Sequence, residues 1–256
     1  MRISSLFGRA LDRATPQPDR FEVGGTLYAV GDVHGEITLL KALVKRIRAD
    51  AGRPETMGPK KLVFVGDLVD RGENSRAVLQ YLSTLAIPDC EIIFLLGNHE
   101  QQMLKFADDP VRHHRWLDWG GRETLTSFGV RSFPASDEEH FLQIGEDFRD
   151  ALGDLRSFVE ERTVFSWRMG NVILCHGGMD PDLDIDDQPE KYLIWGGNRF
   201  MERGGPPGYW YVHGHIIHDT PGIFGNRIAI DTGAYRTGIL TVARITDDGC
   251  AFLQQS

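Results

Sequence analysis

Five apolar runs in this chain end in the same abrupt way, giving out into glycine flanked by Asp, His or Asn. Ile92, Ile93, Phe94, Leu95 and Leu96 lead into Gly97-Asn98-His99-Glu100. Leu27-Tyr28-Ala29-Val30 leads into Gly31-Asp32-Val33-His34-Gly35, and Leu62-Val63-Phe64-Val65 into Gly66-Asp67-Leu68-Val69-Asp70-Arg71-Gly72. Val172-Ile173-Leu174-Cys175 stops at His176-Gly177-Gly178, and Tyr209-Trp210-Tyr211-Val212 at His213-Gly214-His215. A short continuous apolar run bounded by turn residues reads as a strand buried on both faces. Polar residues just past such strands lie at the carboxyl edge of the sheet, where open α/β sheets bind ligands. The pattern therefore points to a layered α/β fold with one polar rim.

Between the runs the period changes. Ile37, Leu40, Leu43, Val44 and Ile47 recur at helical spacing, which predicts an amphipathic helix over about 36–49, ended by Gly52 and Pro54. Ala77, Val78, Tyr81, Leu82 and Leu85 predict a second helix, stopped by Pro88. The β-α-β-α-β succession implies parallel pairing in the first half. From Gln101 to about Arg156 the pattern is helical and less regular, an insertion that would cover the site. Arg162 to Arg168 alternates as a strand, and further strands are expected near 227–231, 238–245 and 251–253, so the second half is mainly β. Residues 1–24 are polar and read as a loose extension, with a single domain over 25–256.

Composition narrows the function classes. The chain has 256 residues, 41% apolar and 25% charged, enough for one full core. A net charge of −9 argues against nonspecific nucleic-acid binding. Cys90, Cys175 and Cys250 lie in or beside apolar runs and read as reduced thiols, consistent with a cytoplasmic protein. No stretch approaches the roughly 18–20 apolar residues that span a bilayer, so no membrane is expected as a partner. The N-terminus carries Arg2, Arg9 and Arg13 without an apolar segment behind them, so no secretory signal is expected.

The chemistry follows from what the rim collects. A lone Gly-Asp or His-Gly is usually a turn, but five such elements, each at a strand end, form a ligand set. Asp, His and Asn side chains converging from separate strands suit a pair of divalent metals such as Mn²⁺, Fe or Zn²⁺. A two-metal site holds its cations roughly 3.5–4 Å apart and needs a shared carboxylate with neutral imidazoles around it. Asp32, His34, Asn98, His176 and His215 supply the donors, and Asp67 is the bridging candidate.

These five motifs together resemble the calcineurin-like metallophosphoesterases, and specifically their phosphoprotein phosphatase branch. The stretches Trp119-Gly120-Gly121-Arg122-Glu123-Thr124 and Asp231-Thr232-Gly233-Ala234-Tyr235 further resemble bacterial members of that branch. The resemblance implies a central β-sandwich of two mixed sheets flanked by helices. It assigns Asp32 and His34 to one metal, Asp67 to both, and Asn98, His176 and His215 to the second, with Mn²⁺ the activating ion. It makes His99 the general acid, with Asp70 holding its imidazolium, and Arg71 and Asn98 phosphate ligands. Tyr235 belongs to the same substrate-binding set. The implied reaction is in-line attack on phosphorus by a hydroxide bridging the metals. A second phosphate-binding arginine is usual in the branch, and Arg199 is the candidate here, displaced by two residues from the usual position.

For the substrate, the resemblance suggests phosphoserine or phosphothreonine in proteins, or a small phosphoester. The alternative is a dinucleoside polyphosphate such as diadenosine tetraphosphate. Hydrolases of that type carry Ala and Asp at the positions of Asp70 and Glu100, and a residue that supports the acid suits a poor alkoxide leaving group. A non-catalytic binding module would have lost a ligand or the acid, and none is missing. The remaining conspicuous residues have plainer readings. Asp180, Asp182, Asp184, Asp186 and Asp187 imitate a calcium loop but lack its Gly and terminal Glu, so a solvated acidic loop is expected. His213 and His218 are placed outside the ligand set, and His113, His114 and His140 outside any motif. Trp116, Trp119 and Phe128 are expected in the core of the insertion, with Arg112, Arg115 and Arg122 forming a positive rim.

Overall fold

The computed structural model describes residues 15–56, 58–132 and 137–256. Among these, the chain forms β1 (Thr26–Val30), α1 (Ile37–Ala51), β2 (Lys60–Phe64), α2 (Ser75–Ser83), β3 (Cys90–Leu95) and α3 (Asn98–Asp108). The insertion follows as a 3-10 turn (His114–Trp119), α4 (Gly121–Ser127), α5 (Glu138–Leu152) and α6 (Asp154–Arg162). Then come β4 (Thr163–Val164), β5 (Ser166–Met169), β6 (Val172–Cys175), α7 (Glu190–Trp195), α8 (Asn198–Arg203) and β7 (Trp210–His213). The chain ends with β8 (Gly222–Phe224), β9 (Arg227–Ala229), β10 (Leu240–Thr246) and β11 (Gly249–Gln255).

The strands make two mixed sheets. One runs β11-β10-β1-β2-β3-β4 and the other β5-β6-β7-β9-β8. Strands β1 to β4 are parallel, as the β-α-β-α-β succession requires, and β10 adds antiparallel to β1. In the second sheet β6, β7 and β9 are parallel, with antiparallel β5 and β8 on the edges.

The continuous apolar runs are explained by burial on both faces. Leu27, Ala29, Val63, Val65, Ile93 and Leu95 point into the sandwich and meet Val172, Leu174, Val212 and Ile228 of the other sheet. The alternate residues Tyr28, Val30, Leu62, Phe64 and Phe94 point outward against Leu40, Leu43, Val44 and Ile47 of α1 and Val78, Leu79 and Leu82 of α2. Each such Leu or Ile contributes about 1.5–3 kcal/mol by leaving water. The outer face of the second sheet is covered by Met179, Leu193 and Phe200 over Ile173, Cys175 and Tyr211.

Two expectations change in detail. The strand read over Arg162–Arg168 is two strands: β4 pairs with β3, whereas β5 pairs with β6 in the other sheet. Phe165 marks the crossing. The extension is also less loose than its polarity suggests. Residues 1–14 lie outside the described residues, but Phe21 and Val23 are buried, and Phe21 stacks on Trp210 with ring centroids 4.5 Å apart. Both side chains join the core between the sheets, and the backbone N–H groups of Glu22, Val23 and Gly24 donate to Asn171 and Asp247, which together dock the segment. No helix among the described residues is long and apolar enough to cross a membrane.

Candidate metal centre

All the loops predicted to carry ligands open on one end of the sandwich, and their backbones are strained to do so. Non-glycine residues with left-handed φ are His34 (44°), Asp67 (49°), Asp70 (72°), Arg71 (68°), Asp89 (55°) and His215 (62°) among the described residues. All but Asp89 belong to the predicted site. Each costs of order 1 kcal/mol or more and persists only where the surroundings over-determine it. Glu100 is one of those surroundings. Fully buried, it accepts backbone N–H groups from Leu68 (2.7 Å) and Val69 (3.1 Å) on Oε1 and from Asp67 (2.9 Å) and Gly97 (3.1 Å) on Oε2. Gly97 itself is obligatory, because a Cβ there would lie 2.2 Å from both the backbone N and Oδ1 of Asp67.

Asp67 sits at the centre of the donors. Its Oδ1 is 3.2 Å from His176 Nε2, and its Oδ2 is 3.6 Å from His34 Nε2 and 3.8 Å from His99 Nε2. Asn98 Oδ1 lies 3.0 Å from His176 Nε2 and 2.8 Å from His215 Nδ1. Donor separations near 3 Å are those of ligands sharing one cation at bonds of about 2.0–2.2 Å. The imidazoles are oriented for it. His34 Nδ1 faces the carbonyl of Val69 at 2.8 Å and His176 Nδ1 that of Val65 at 2.9 Å, so each donates there and leaves Nε2 as a lone pair. Burial lowers the pKa of His34 to about 3 and, with His176 beside it, that of His215 to about 4. Both are neutral rings at physiological pH. Burial would push the Asp67 carboxyl up, but His176, His99 and His34 hold it well below the usual carboxylate range.

Asp32, expected to share a cation with His34 and Asp67, lies in neither of the two closely converging donor groups found among the described residues, where His99 stands with His34 and Asp67 instead. Asp32 Oδ2 accepts the backbone N–H of His215 at 3.0 Å, whereas Oδ1 is buried without a hydrogen-bond partner. Burial and the nearby carboxylates of Asp231 and Asp67 push its pKa well up. A cation relieves both conditions, which is the test the ligand set passes. Among the described residues, two groups converge closely enough to hold an ion: His34, Asp67 and His99, and Asp67, His176 and His215. Asp67 is common to both.

His99 is the second residue of α3, and its Nδ1 is 2.7 Å from Asp70 Oδ2. Asp70 is fully buried and also accepts from Trp116 Nε1 at 2.6 Å and from Thr124 Oγ1 at 2.6 Å. Burial raises the pKa of Asp70, and the hydrogen bonds from His99, Thr124 and Trp116 offset only part of that rise. Burial works against a charged His99, but Asp67 and Asp70 hold its pKa up at about 9. Arg71 stacks its guanidinium 4.8 Å from the centroid of the Tyr235 ring and brings Nη1 within 3.2 Å of His34 Nε2. Tyr235 in turn meets His34 edge to face at 5.3 Å.

Above these residues opens a cavity of about 870 Å³, lined by Arg71, Asn98, His99, His215 and Tyr235 together with Trp119, Arg122 and Trp195. Arg199 is not among the lining residues. Its guanidinium pairs with Asp180 at 3.3 Å and with Asp182, and Arg203 holds Asp182 from the other side at 2.9 Å. Two arginines thus pair with Asp180 and Asp182, while Asp184, Asp186 and Asp187 are exposed to solvent as expected of this loop. His213 is buried with Arg227 near its Nε2, and His218 flanks it, both outside the donor cluster. Of the insertion aromatics, Trp116 and Phe128 are core, but Trp119 is 43% exposed at the cavity mouth, contrary to the helical-spacing expectation. The 3-10 turn ends there at Gly120 with φ 108°, which turns Trp119 outward. Sequence reasoning also missed Glu100 as a backbone clamp and Trp116 and Thr124 as partners of Asp70. Only the Trp119–Thr124 stretch carried a signal.

Known proteins resemble the chain in sequence and fold. It is 24% identical to a bis(5'-nucleosyl)-tetraphosphatase PrpE (asymmetrical) of Bacillus thuringiensis over 234 residues, 84% of this chain and 88% of that one. The crystal structure of a candidate diadenosine tetraphosphatase superposes with a TM-score of 0.58 at 20% identity, covering 95% of this chain and 98% of the other. A protein serine/threonine phosphatase of Saccharomyces cerevisiae superposes with a TM-score of 0.52 at 17% identity, covering 91% and 80%. The fold is therefore that of both kinds of enzyme. Residues 25–222, which include every donor described above, match the calcineurin-like phosphoesterases, and the chain belongs to that family as a phosphoric ester hydrolase.

Proposed function

We propose that this hydrolase acts on dinucleoside polyphosphates, diadenosine tetraphosphate being the type substrate, with two divalent cations, Mn²⁺ first among them. The observation that carries the substrate class is the likeness to the Bacillus tetraphosphatase, which runs over 84% of the chain and so extends far beyond the five motifs. Asp32, His34 and Asp67 would hold one cation, and Asp67, Asn98, His176 and His215 the other; Fe or Zn²⁺ would suit the same donors. The cations supply an activated water and neutralise charge on phosphorus. Arg71 binds phosphate oxygens through its planar fork. Tyr235 orients that fork by stacking beneath it, and Arg199 reaches substrate only by exchanging its aspartates for phosphate oxygens. His99 delivers a proton to the leaving oxygen, and Asp70 keeps the ring turned toward it.

A second reading, hydrolysis of phosphoserine or phosphothreonine, is favoured by one observation. A buried carboxylate that holds a charged His99 at 2.7 Å suits an alkoxide leaving group, which needs a proton more than a nucleotide phosphate does. Glu100, the other residue that separated the two readings in the sequence, loses that value, because its carboxylate serves the backbone. The test is hydrolysis by metal-depleted protein restored with Mn²⁺, offered diadenosine tetraphosphate and a phosphothreonine peptide side by side. The proposal expects the dinucleotide to be cleaved with the higher kcat/KM. Faster turnover of the peptide would replace it with the second reading.

A further inference from the structure

Trp119 and Trp195 leave large indole surfaces open, 43% and 38% exposed, in a cavity they share with the half-buried Tyr235. They come from distant parts of the chain, Trp119 from the insertion and Trp195 from the end of α7. Their rings meet edge to face, with centroids 6.3 Å apart and planes at 74°, and both line the cavity over Arg71 and His99. Both are also held in place. Gly120 follows Trp119, and its carbonyl accepts the backbone N–H of Arg71 at 3.2 Å. A Cβ on Gly120 would lie 2.4 Å from the Arg71 backbone N, so the turn that presents Trp119 is fitted against the arginine. The Trp195 Nε1–H donates to Gln101 Oε1 on α3 at 3.1 Å, and its ring stands 6.4 Å from that of His215. Trp116, three residues earlier, is fully buried, so exposure is not a general property of this segment.

Fixed, water-exposed indoles a short distance from a phosphate-binding arginine match the two halves of a nucleotide. Aromatic faces stack on nucleobases with little regard to sequence, and the arginine takes the phosphate. We infer that Trp119 and Trp195 form the subsite for a nucleobase of the substrate, which makes them specificity-determining residues; this rests on the dinucleoside polyphosphate reading. The pair fixes one base while Arg71 and the metal ligands receive the phosphate chain.

The test is isothermal titration calorimetry on the full chain with Mn²⁺, comparing AMP with ribose 5-phosphate, which lacks only the base. Stacking of one base predicts that AMP binds about 5- to 100-fold more tightly. Trp119→Ala and Trp195→Ala each reduce that ratio, whereas Trp119→Phe and Trp195→Phe retain most of it and show that the fold is kept. Equal binding of the two ligands by the parent, or an AMP preference untouched in both alanine variants, overturns the inference. An adenine preference without cleavage of diadenosine tetraphosphate sinks the reading of the reaction and leaves the base subsite standing. Cleavage without the preference does the reverse.

Discussion

Replacing Glu100 by Gln should loosen the metal centre from behind without touching a ligand. The carboxylate accepts four backbone N–H groups at 2.7–3.1 Å. An amide has one acceptor oxygen, so whichever way it turns, two of those N–H groups face an NH₂. Burial and the neighbouring Asp67 raise the Glu100 pKa to about 7; above that pH a backbone N–H bonded to the charged acceptor contributes about 1.5–3 kcal/mol, so losing two sets an upper bound of about 6 kcal/mol. Partial withdrawal of the amide brings the expected loss to about 3 kcal/mol. At about 2–4 °C per kcal/mol for a chain of this size, Tm falls by about 6–12 °C. The left-handed conformations at Asp67, Asp70 and Arg71 lose their clamp at the same time. Mn²⁺ affinity should therefore fall about 10- to 100-fold, as it does when groups supporting metal ligands are removed. Scanning calorimetry with and without Mn²⁺, together with titration of the metal, measures both. A variant that melts within about 2 °C of the parent and binds Mn²⁺ as tightly would refute the argument that Glu100 holds the loop.

Further outcomes follow from the same geometry. His99→Asn should lower kcat by about 10²- to 10⁴-fold on an alkyl phosphate and much less on p-nitrophenyl phosphate, whose leaving group needs no proton; equal losses on the two would remove His99 from the acid role. Thr124→Val keeps shape but leaves Asp70 Oδ1 without its O–H donor at 2.6 Å, so unfolding in urea should show a loss of about 1–3 kcal/mol, with an unchanged midpoint as the contrary result. Asp50 accepts from Tyr28 Oη at 2.6 Å and Arg244 Nε at 2.7 Å. Burial would raise its pKa, but these partners hold it below the usual carboxylate range. A depressed folded-state pKa stabilises above the unfolded value, about 3.9, and that contribution is lost as pH falls through the folded one. The Tm gap between the parent and Asp50→Asn should accordingly narrow from pH 6 to pH 3, and a constant gap would contradict it.

The parts of the site legible in the sequence are those set by local rules. Strand ends are marked by apolar runs meeting glycine, so Asp32, His34, Asp67, Asn98, His176 and His215 could be named in advance and are found on one rim. What surrounds them could not, because it depends on which segments of the insertion return to the site. Trp116 and Trp119 have the same spacing and chemistry, yet one is buried against Asp70 and the other faces the cavity, a difference made by the turn at Gly120. Glu100 looked like a marker of substrate class and is instead a backbone clamp, since only the folded chain brings the Gly66–Gly72 loop across it. Arg199 illustrates the same limit, its charge taken by Asp180 and Asp182, which the sequence offered as a solvated loop.

The central claim is a pair of cations sharing Asp67, and the measurement that reaches it most directly is metal stoichiometry on chelator-stripped protein reloaded with Mn²⁺. The parent should bind about two ions per chain, and Asp67→Asn should lose affinity at both positions together with phosphoester hydrolysis. A parent that binds a single ion, or an Asp67→Asn variant that retains both with undiminished affinity, would contradict it.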